Sequence, residues 1–407
     1  MRILFLTDDY PIAGGSSVAG VVRTLEKGLH QKNHEIHVIT THRIKENPSI
    51  IRRDNITSLP VSYRQSLRHY HCLLIPAVSK MLAEEIARIH PDVIHAHNVH
   101  QYITYDGLRV ARRFTPNVFI TLHDVMSFSY ARLATDRFIQ SEGNDVKTSF
   151  IDHIRQVGLQ WNPLRNIRIR SALENNVKAV FAVSAALKRA LDAHGIPKVR
   201  VLPNGTEMGQ WQASADAIAA FQKKHNLIGK KVIFFGGRLS RDKGSAPLLA
   251  ALRKICEAMP EVLLLVIGDA ARLQGLIVEA GAEDLLSAMR CAGWLSQEEM
   301  AAAYGSADVV TTPSLCLDTF NLINIEAMSA GKPVVGTIFG GTPEIVLDGT
   351  TGYVRNPLKI EAYTDALRTI LADPALAKRM GEAGKKRVEE HYSLDVFVQR
   401  QLEAYSR

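Results

Sequence analysis

Short apolar runs alternate along the chain with longer stretches in which apolar residues return every third or fourth position. The runs RILFLT (2–7), HEIHVITT (34–41), DVIHAHN (92–98), NVFITLHD (117–124), AVFAVS (179–184) and VRVLPNG (199–205) predict a first series of strands. KVIFFGGR (231–238), VLLLVIGD (262–269), MRCAGWL (289–295), ADVVTTPS (307–314) and KPVVGT (332–337) predict a second. Such near-continuous Val, Ile and Leu runs, each followed by a helical pattern, read as parallel sheet covered by helices on both faces. The expected class is therefore α/β, with two doubly wound domains whose crevices lie at the carboxyl ends of the strands. The turn-forming PNGTE at 203–207 and a polar helix near 215–226 set the boundary, giving domains 1–203 and 204–387. From 394 to 407 apolar residues keep helical spacing without a strand partner, which predicts a closing helix, taken with its approach as 388–407 and packed back on the first domain.

A length of 407 residues, 46% apolar and 22% charged, suits two domains and excludes disordered, collagen-like and coiled-coil classes. Four widely spaced cysteines give neither a zinc spacing nor a disulfide framework. MRILFLTDDYP breaks into charge too early for a signal peptide, and no apolar run reaches the roughly 18–20 residues of a membrane span. A cytoplasmic location, with peripheral contact to the inner face of a membrane, is expected. The net charge of +8 is unevenly placed: residues 1–203 hold 27 Lys and Arg against 17 Asp and Glu, and 204–407 hold 22 against 24. The first half thus faces something anionic. Two stretches there, 43–70 and 126–170, interleave arginines with aromatic and aliphatic residues and read as long loop-rich excursions suited to anionic headgroups or a phosphorylated acceptor. No recognition motif supports nucleic acid.

Three segments carry candidate chemistry. Gly14 and Gly15 lie at a strand-to-helix turn, where backbone can approach a phosphate, without the spacing of a dinucleotide site. Phe234-Phe235-Gly236-Gly237-Arg238, then Leu239 to Gly244, puts Arg238 and Lys243 in one loop, two cations fit for a departing diphosphate. From Pro313 to Val335, Asp318 precedes a helix expected from about Phe320, and Glu326 lies inside it. A carboxylate on the core side of that helix is costly unless it meets ligand hydroxyls or cations.

This arrangement resembles the retaining nucleotide-sugar glycosyltransferases of family 4, built on the GT-B fold of two facing Rossmann-like domains. Their E-x-F-G-x-x-x-x-E followed by A-x-G-x-P-V is matched by D-T-F-N-L-I-N-I-E and A-G-K-P-V. T-L-H-D at 121–124, P-N-G at 203–205, G-G-R-L-x-x-x-K-G at 236–244 and A-G-W-L at 292–295 extend the resemblance over nearly the whole chain. It implies that Glu326 binds the nucleotide ribose and that Arg238 and Lys243 neutralise the diphosphate, joined by amides near Gly15 and Leu322. By the same resemblance His123 reaches the donor sugar and Gly293, Trp294 and Leu295 hold the base. Asp318 touches sugar hydroxyls, and Gly14, Asn204, Gly237, Thr319, Phe320 and Asn321 complete the donor contacts. Two departures stand out: Asp318 replaces the usual glutamate and Asn321 the usual glycine. No D-x-D triad stands in context, so no metal or cofactor is expected. The implied reaction is retaining transfer from a nucleotide diphosphate-sugar to a hydroxyl of a glycolipid, lipid-linked saccharide or polysaccharide. An epimerase or hydrolase on the same fold, and a catalytically weak nucleotide-sugar-binding protein, are the competing readings.

Overall fold

Ile3 to Leu6 are wholly buried, and the strand they form lies inside the first sheet. The computed structural model describes residues 1–10, 16–62, 64–237 and 239–406, with the side chain of Gln65 outside that description. Its first sheet contains β1 (Arg2–Thr7), β2 (Glu35–Arg43), β3 (Ile51–Arg53), β4 (Ile56–Val61), β5 (Val93–His97), β6 (Val118–Leu122), β7 (Ala179–Ala182) and β8 (Val199–Val201). Their order is β3-β4-β2-β1-β5-β6-β7-β8, parallel except where β3 runs against β4. The second sheet contains β9 (Lys231–Phe235), β10 (Val262–Val266), β11 (Met289–Cys291), β12 (Val309–Thr312), β13 (Val334–Thr337) and β14 (Gly352–Arg355), in the all-parallel order β11-β10-β9-β12-β13-β14. All eleven strands expected from the apolar runs are present.

Both sheets reverse direction of winding at their first strand. β1 lies between β2 and β5, and β9 between β10 and β12. Loops leaving the carboxyl ends of strands at such a switch point diverge and leave room for a ligand. The loops that diverge at the two switch points are those after β1, β5, β9 and β12.

The stretch 43–70, expected as loop, contains the β3–β4 hairpin instead. Asp54 turns it with φ +51°, and Ile51 and Ile56 flank the turn. With two arginines in three residues, β3 has no alternation to read. β14 likewise has no counterpart among the expected strands.

By contacts the chain divides into two units: 1–135, 146–205 and 394–407 form the first, and 136–145 with 206–393 the second. The closing helix is Leu394–Ser406, since 374–391 makes a helix of its own in the second unit. It seats tightly in the first: a Cβ on Gly28 would meet Val398 at 2.4 Å. The sequence placed 136–145 in the first domain, but these residues pack in the second. There Phe138 meets Phe339 with ring centroids 5.4 Å apart, and Glu142 pairs with Lys359 at 2.6 Å.

Candidate functional site

In the second unit the chain leaves β9 through Gly236 and Gly237 into a 3₁₀ turn, Arg241–Lys243, and then the helix Ser245–Ala258. Gly244 makes this entry possible: its φ is +80°, and a Cβ would lie 1.9 Å from the Pro313 carbonyl oxygen, a conformation and approach only glycine allows. The Leu315 N–H donates to the Asp242 carbonyl at 2.9 Å, so the loops after β9 and β12 are locked together.

That lock brings Lys243 and Asp318, 75 residues apart in sequence, to 2.6 Å. The same carboxylate oxygen accepts from the Ser314 hydroxyl at 2.8 Å and the Asn321 amide at 3.1 Å. Asn321 is the N-cap of the helix Leu322–Ser329, yet its side chain makes no capping bond. It spends its amide on Asp318, and the first helical turn keeps N–H groups directed at any anion placed there. Expected to begin near Phe320, the helix starts two residues later. Phe320 is buried edge-on to Tyr392, and Thr319 lies beside it in the loop.

One turn further, Glu326 Oε2 accepts a hydrogen bond from Tyr304 OH at 2.6 Å. Tyr304 comes from the helix Gln297–Ser306 and is wedged edge-on against Phe234, 5.1 Å away. Burial pushes the Glu326 carboxyl up to about 7, and the Tyr304 hydroxyl only partly offsets this. Its other oxygen has no hydrogen-bond partner among the described residues. A carboxylate so placed gains from any ligand that brings hydroxyl donors.

Beside these loops, Gly293 (φ +77°) gives its carbonyl to the Gly268 N–H at 3.0 Å. Trp294 then projects 74% exposed. Together with Leu239, Val266, Gly268, Asp269 and Arg272 it lines a cavity of about 170 Å³, with Leu295 following in the same loop.

In the first unit, His95 and His97 sit two apart on β5, hence on one side of it, and both are buried. His95 bonds Tyr405 OH and Thr121 Oγ1, each at 2.8 Å. His97 Nδ1 lies 3.0 Å from Nε2 of His123, the residue after β6 expected to reach a sugar. Asn98, at φ +48°, fastens that corner: its Oδ1 accepts from the His123 N–H and its amide donates to Asp124, both at 2.9 Å. Burial lowers His95 to about 3 and His123 to about 4, so both rings are neutral at pH 7. After β1, the buried Asp8 accepts the backbone N–H groups of Gln101, Tyr102 and Ile103 at 2.7 to 2.9 Å. Asn204 is buried in the turn after β8.

Lys243, Asp318, Asn321, Leu322 and Glu326 thus converge within the second unit, with Gly237, Gly293 and Trp294 on neighbouring loops. His123 and Asn204 belong to the first. Gly14, Gly15 and Arg238 lie outside the described residues. Sequence reasoning missed Tyr304, Ser314, His97 and Asn98. Two histidines in a fully apolar strand were a readable signal for His97; a tyrosine on a neighbouring helix left none.

Known proteins resemble the chain in sequence and in fold. The family described as Glycosyltransferase Family 4 matches residues 15–209, and Glycosyl transferases group 1 matches 217–387. The glycogen synthase of Mycobacterium tuberculosis is 29% identical over 198 residues, 49% of this chain and 46% of its own length. The chain therefore spans about half the length of that relative. Sulfoquinovosyl transferase SQD2 of Arabidopsis thaliana is 24% identical over 96% of this chain and 70% of its own. Anabaena Alr3699/HepE, solved with UDP and glucose, superposes with a TM-score of 0.72 at 19% identity, over 100% of this chain and 99% of that one. This likeness establishes the GT-B fold.

Proposed function

The chain belongs to the family 4, group 1 glycosyltransferases, and from that premise we propose that it transfers a sugar, with retention, from a nucleotide diphosphate-sugar to a hydroxyl of a glycolipid, lipid-linked saccharide or polysaccharide. The observation that carries this reading is the convergence of Lys243, Asp318 and the amide-bearing start of helix Leu322–Ser329, with Glu326 one turn on. A cation and helix amides suit a diphosphate, while a carboxylate with spare acceptor capacity suits a ribose diol. The cavity beside Trp294 suits the base. HepE holding UDP and glucose on the same fold supports that donor class.

In this reading the bond from the anomeric carbon to the diphosphate oxygen breaks as the acceptor oxygen bonds to the same face of that carbon. The acceptor proton passes to the departing phosphate oxygen, so no separate base is required. Lys243, with Arg238, stabilises the charge that grows on the diphosphate, and the helix amides add to it. Asp318, held by Ser314 and Asn321, accepts from sugar hydroxyls. Lys243, Arg238 and the helix amides, not a metal ion, meet the diphosphate charge.

A thermal-shift panel of nucleotide diphosphates and their sugars identifies the donor. Transfer is then assayed with that donor. Lys243→Ala and Glu326→Ala each lower transfer by about 100-fold or more while leaving the chain folded, and EDTA leaves the wild type unchanged. Normal turnover in both variants sinks the reading. Donor consumption without acceptor, at rates equal to transfer, would replace it with hydrolysis or epimerisation.

A further inference from the structure

The helix Phe150–Val157 of the first unit is inside out. Two of its polar residues face the protein: Gln156 Oε1 accepts from the Ser129 hydroxyl at 3.1 Å and the Tyr130 N–H at 3.0 Å, and His153 lies 2.9 Å from Thr148 Oγ1. Its apolar residues face water. Phe150 is 61% exposed, Ile151 and Ile154 are exposed with it, and Leu159 just beyond the helix is completely so. No residue of this helix is buried. An amphipathic helix ordinarily turns its apolar stripe inward, so this reversal marks a surface that is covered in use.

The neighbouring excursion joins the same surface. Tyr70 OH donates to the Trp161 carbonyl at 3.2 Å, and the Asn162 amide donates to the His69 carbonyl at 3.1 Å. Exposed Tyr70 and Leu74 are thereby fixed next to the segment after the inverted helix. Charge selects the partner. Residues 147–170 contain five Lys and Arg and one acidic residue, Asp152, which is consumed in the capping box of the helix. Arg165 is buried against Tyr130, but Arg155, Arg168 and Arg170 are exposed. A second copy meeting this patch across a two-fold axis would set cations against cations. No helix among the described residues is long and apolar enough to cross a membrane.

We propose that this face docks on an anionic lipid surface, its apolar side chains entering the headgroup boundary and its arginines holding the phosphates. The inference takes its purpose, a lipid-linked acceptor, from the proposed reaction, and its geometry from the exposed side chains alone.

Co-sedimentation of the full chain with phosphatidylcholine vesicles, with and without phosphatidylglycerol, tests it. The wild type is expected to bind the mixed vesicles, and added salt to weaken binding. The triple variant Ile151→Ser, Ile154→Ser, Leu159→Ser should lower partition by about 10-fold or more. Arg155→Glu with Arg168→Glu should abolish the preference for phosphatidylglycerol. All three replaced residues are exposed, and an unchanged near-UV spectrum verifies the fold. Equal partition of triple variant and wild type, or no preference for anionic vesicles, overturns the proposal. So does a wild-type dimer that the triple variant dissolves without any vesicle binding. Vesicle binding needs no turnover, so loss of the transferase reading and loss of this one are seen separately.

Discussion

Burial acts in opposite directions on the buried histidines of the first unit and on the Glu326 carboxyl of the second. In the first, burial holds imidazoles neutral: His95 and His69 are lowered to about 3 and His123 to about 4, and burial lowers His97 as well. In the second, burial raises the Glu326 carboxyl to about 7. A histidine lowered below 6.5 binds fewer protons folded than unfolded, so its stabilisation is present above pH 6.5 and is lost as pH falls toward the folded value. A glutamate raised above 4.5 binds more protons folded, so its stabilisation is complete below pH 4.5 and is lost as pH rises to about 7. Asp8, raised by burial despite three backbone donors, opposes the histidines of its own unit, but one carboxyl faces several rings, His153 and His194 among them. The contrast also separates frame from site. Asp8 is saturated by three amides and braces a loop, whereas Glu326 has a single tyrosine and acceptor capacity to spare.

The largest effect follows from the histidines. Between pH 7.5 and pH 5 the first unit is expected to lose on the order of 2 kcal/mol for each ring that titrates independently, more than the second unit loses. Because His95, His97 and His123 touch, their losses do not simply add. Pulse proteolysis in urea, with cleavage sites mapped by mass spectrometry, assigns the loss to a unit. Equal acid sensitivity of both units breaks the comparison.

Next comes Asp8→Ala. It orphans the N–H groups of Gln101, Tyr102 and Ile103 in a buried corner, at a cost of about 3 kcal/mol or more. Urea midpoints measured at pH 7.5 show it, and a loss below about 1 kcal/mol would demote Asp8 from brace to bystander.

Why some of this was legible in sequence and some was not is visible in single residues. Ile3 to Leu6 and Val262 to Val266 announce buried parallel strands because apolar content is a local property of the chain. Arg52 and Arg53, charged and in a three-residue strand, conceal β3 because its order comes from β4. Glu326 and Lys243 were readable from motif spacing, yet the Lys243–Asp318 pair was not. It depends on a Gly244 conformation that lets one loop approach another, a tertiary fact. The surplus of basic residues was countable, but not their fate. Arg52 is claimed by Glu85 and Arg165 is buried beneath Tyr130, so any anionic partner meets other cations.

The smallest effect isolates Glu326 itself. In the absence of ligand its carboxyl is partly protonated at neutral pH, held so by burial with one hydroxyl donor. Glu326→Gln keeps the shape and can still accept from Tyr304, but has nothing to ionise. The variant without ligand should therefore be more stable than wild type at pH 8 by about 1–3 kcal/mol, the order set by the raised carboxyl, and should lack its slope between pH 4.5 and 7. Binding should show the reciprocal effect. Hydroxyls donating to Glu326 favour its charged form, so a nucleotide that engages it must expel a proton near pH 6.5. Titration calorimetry in buffers of different ionisation enthalpy counts that proton. Wild type should release a fraction of one, and Glu326→Gln none from this site. A wild type that binds nucleotide tightly with no proton release would mean that Glu326 does not receive the ribose. Its raised carboxyl would then be a feature of packing, like Asp8, and the difference between the two carboxylates would disappear.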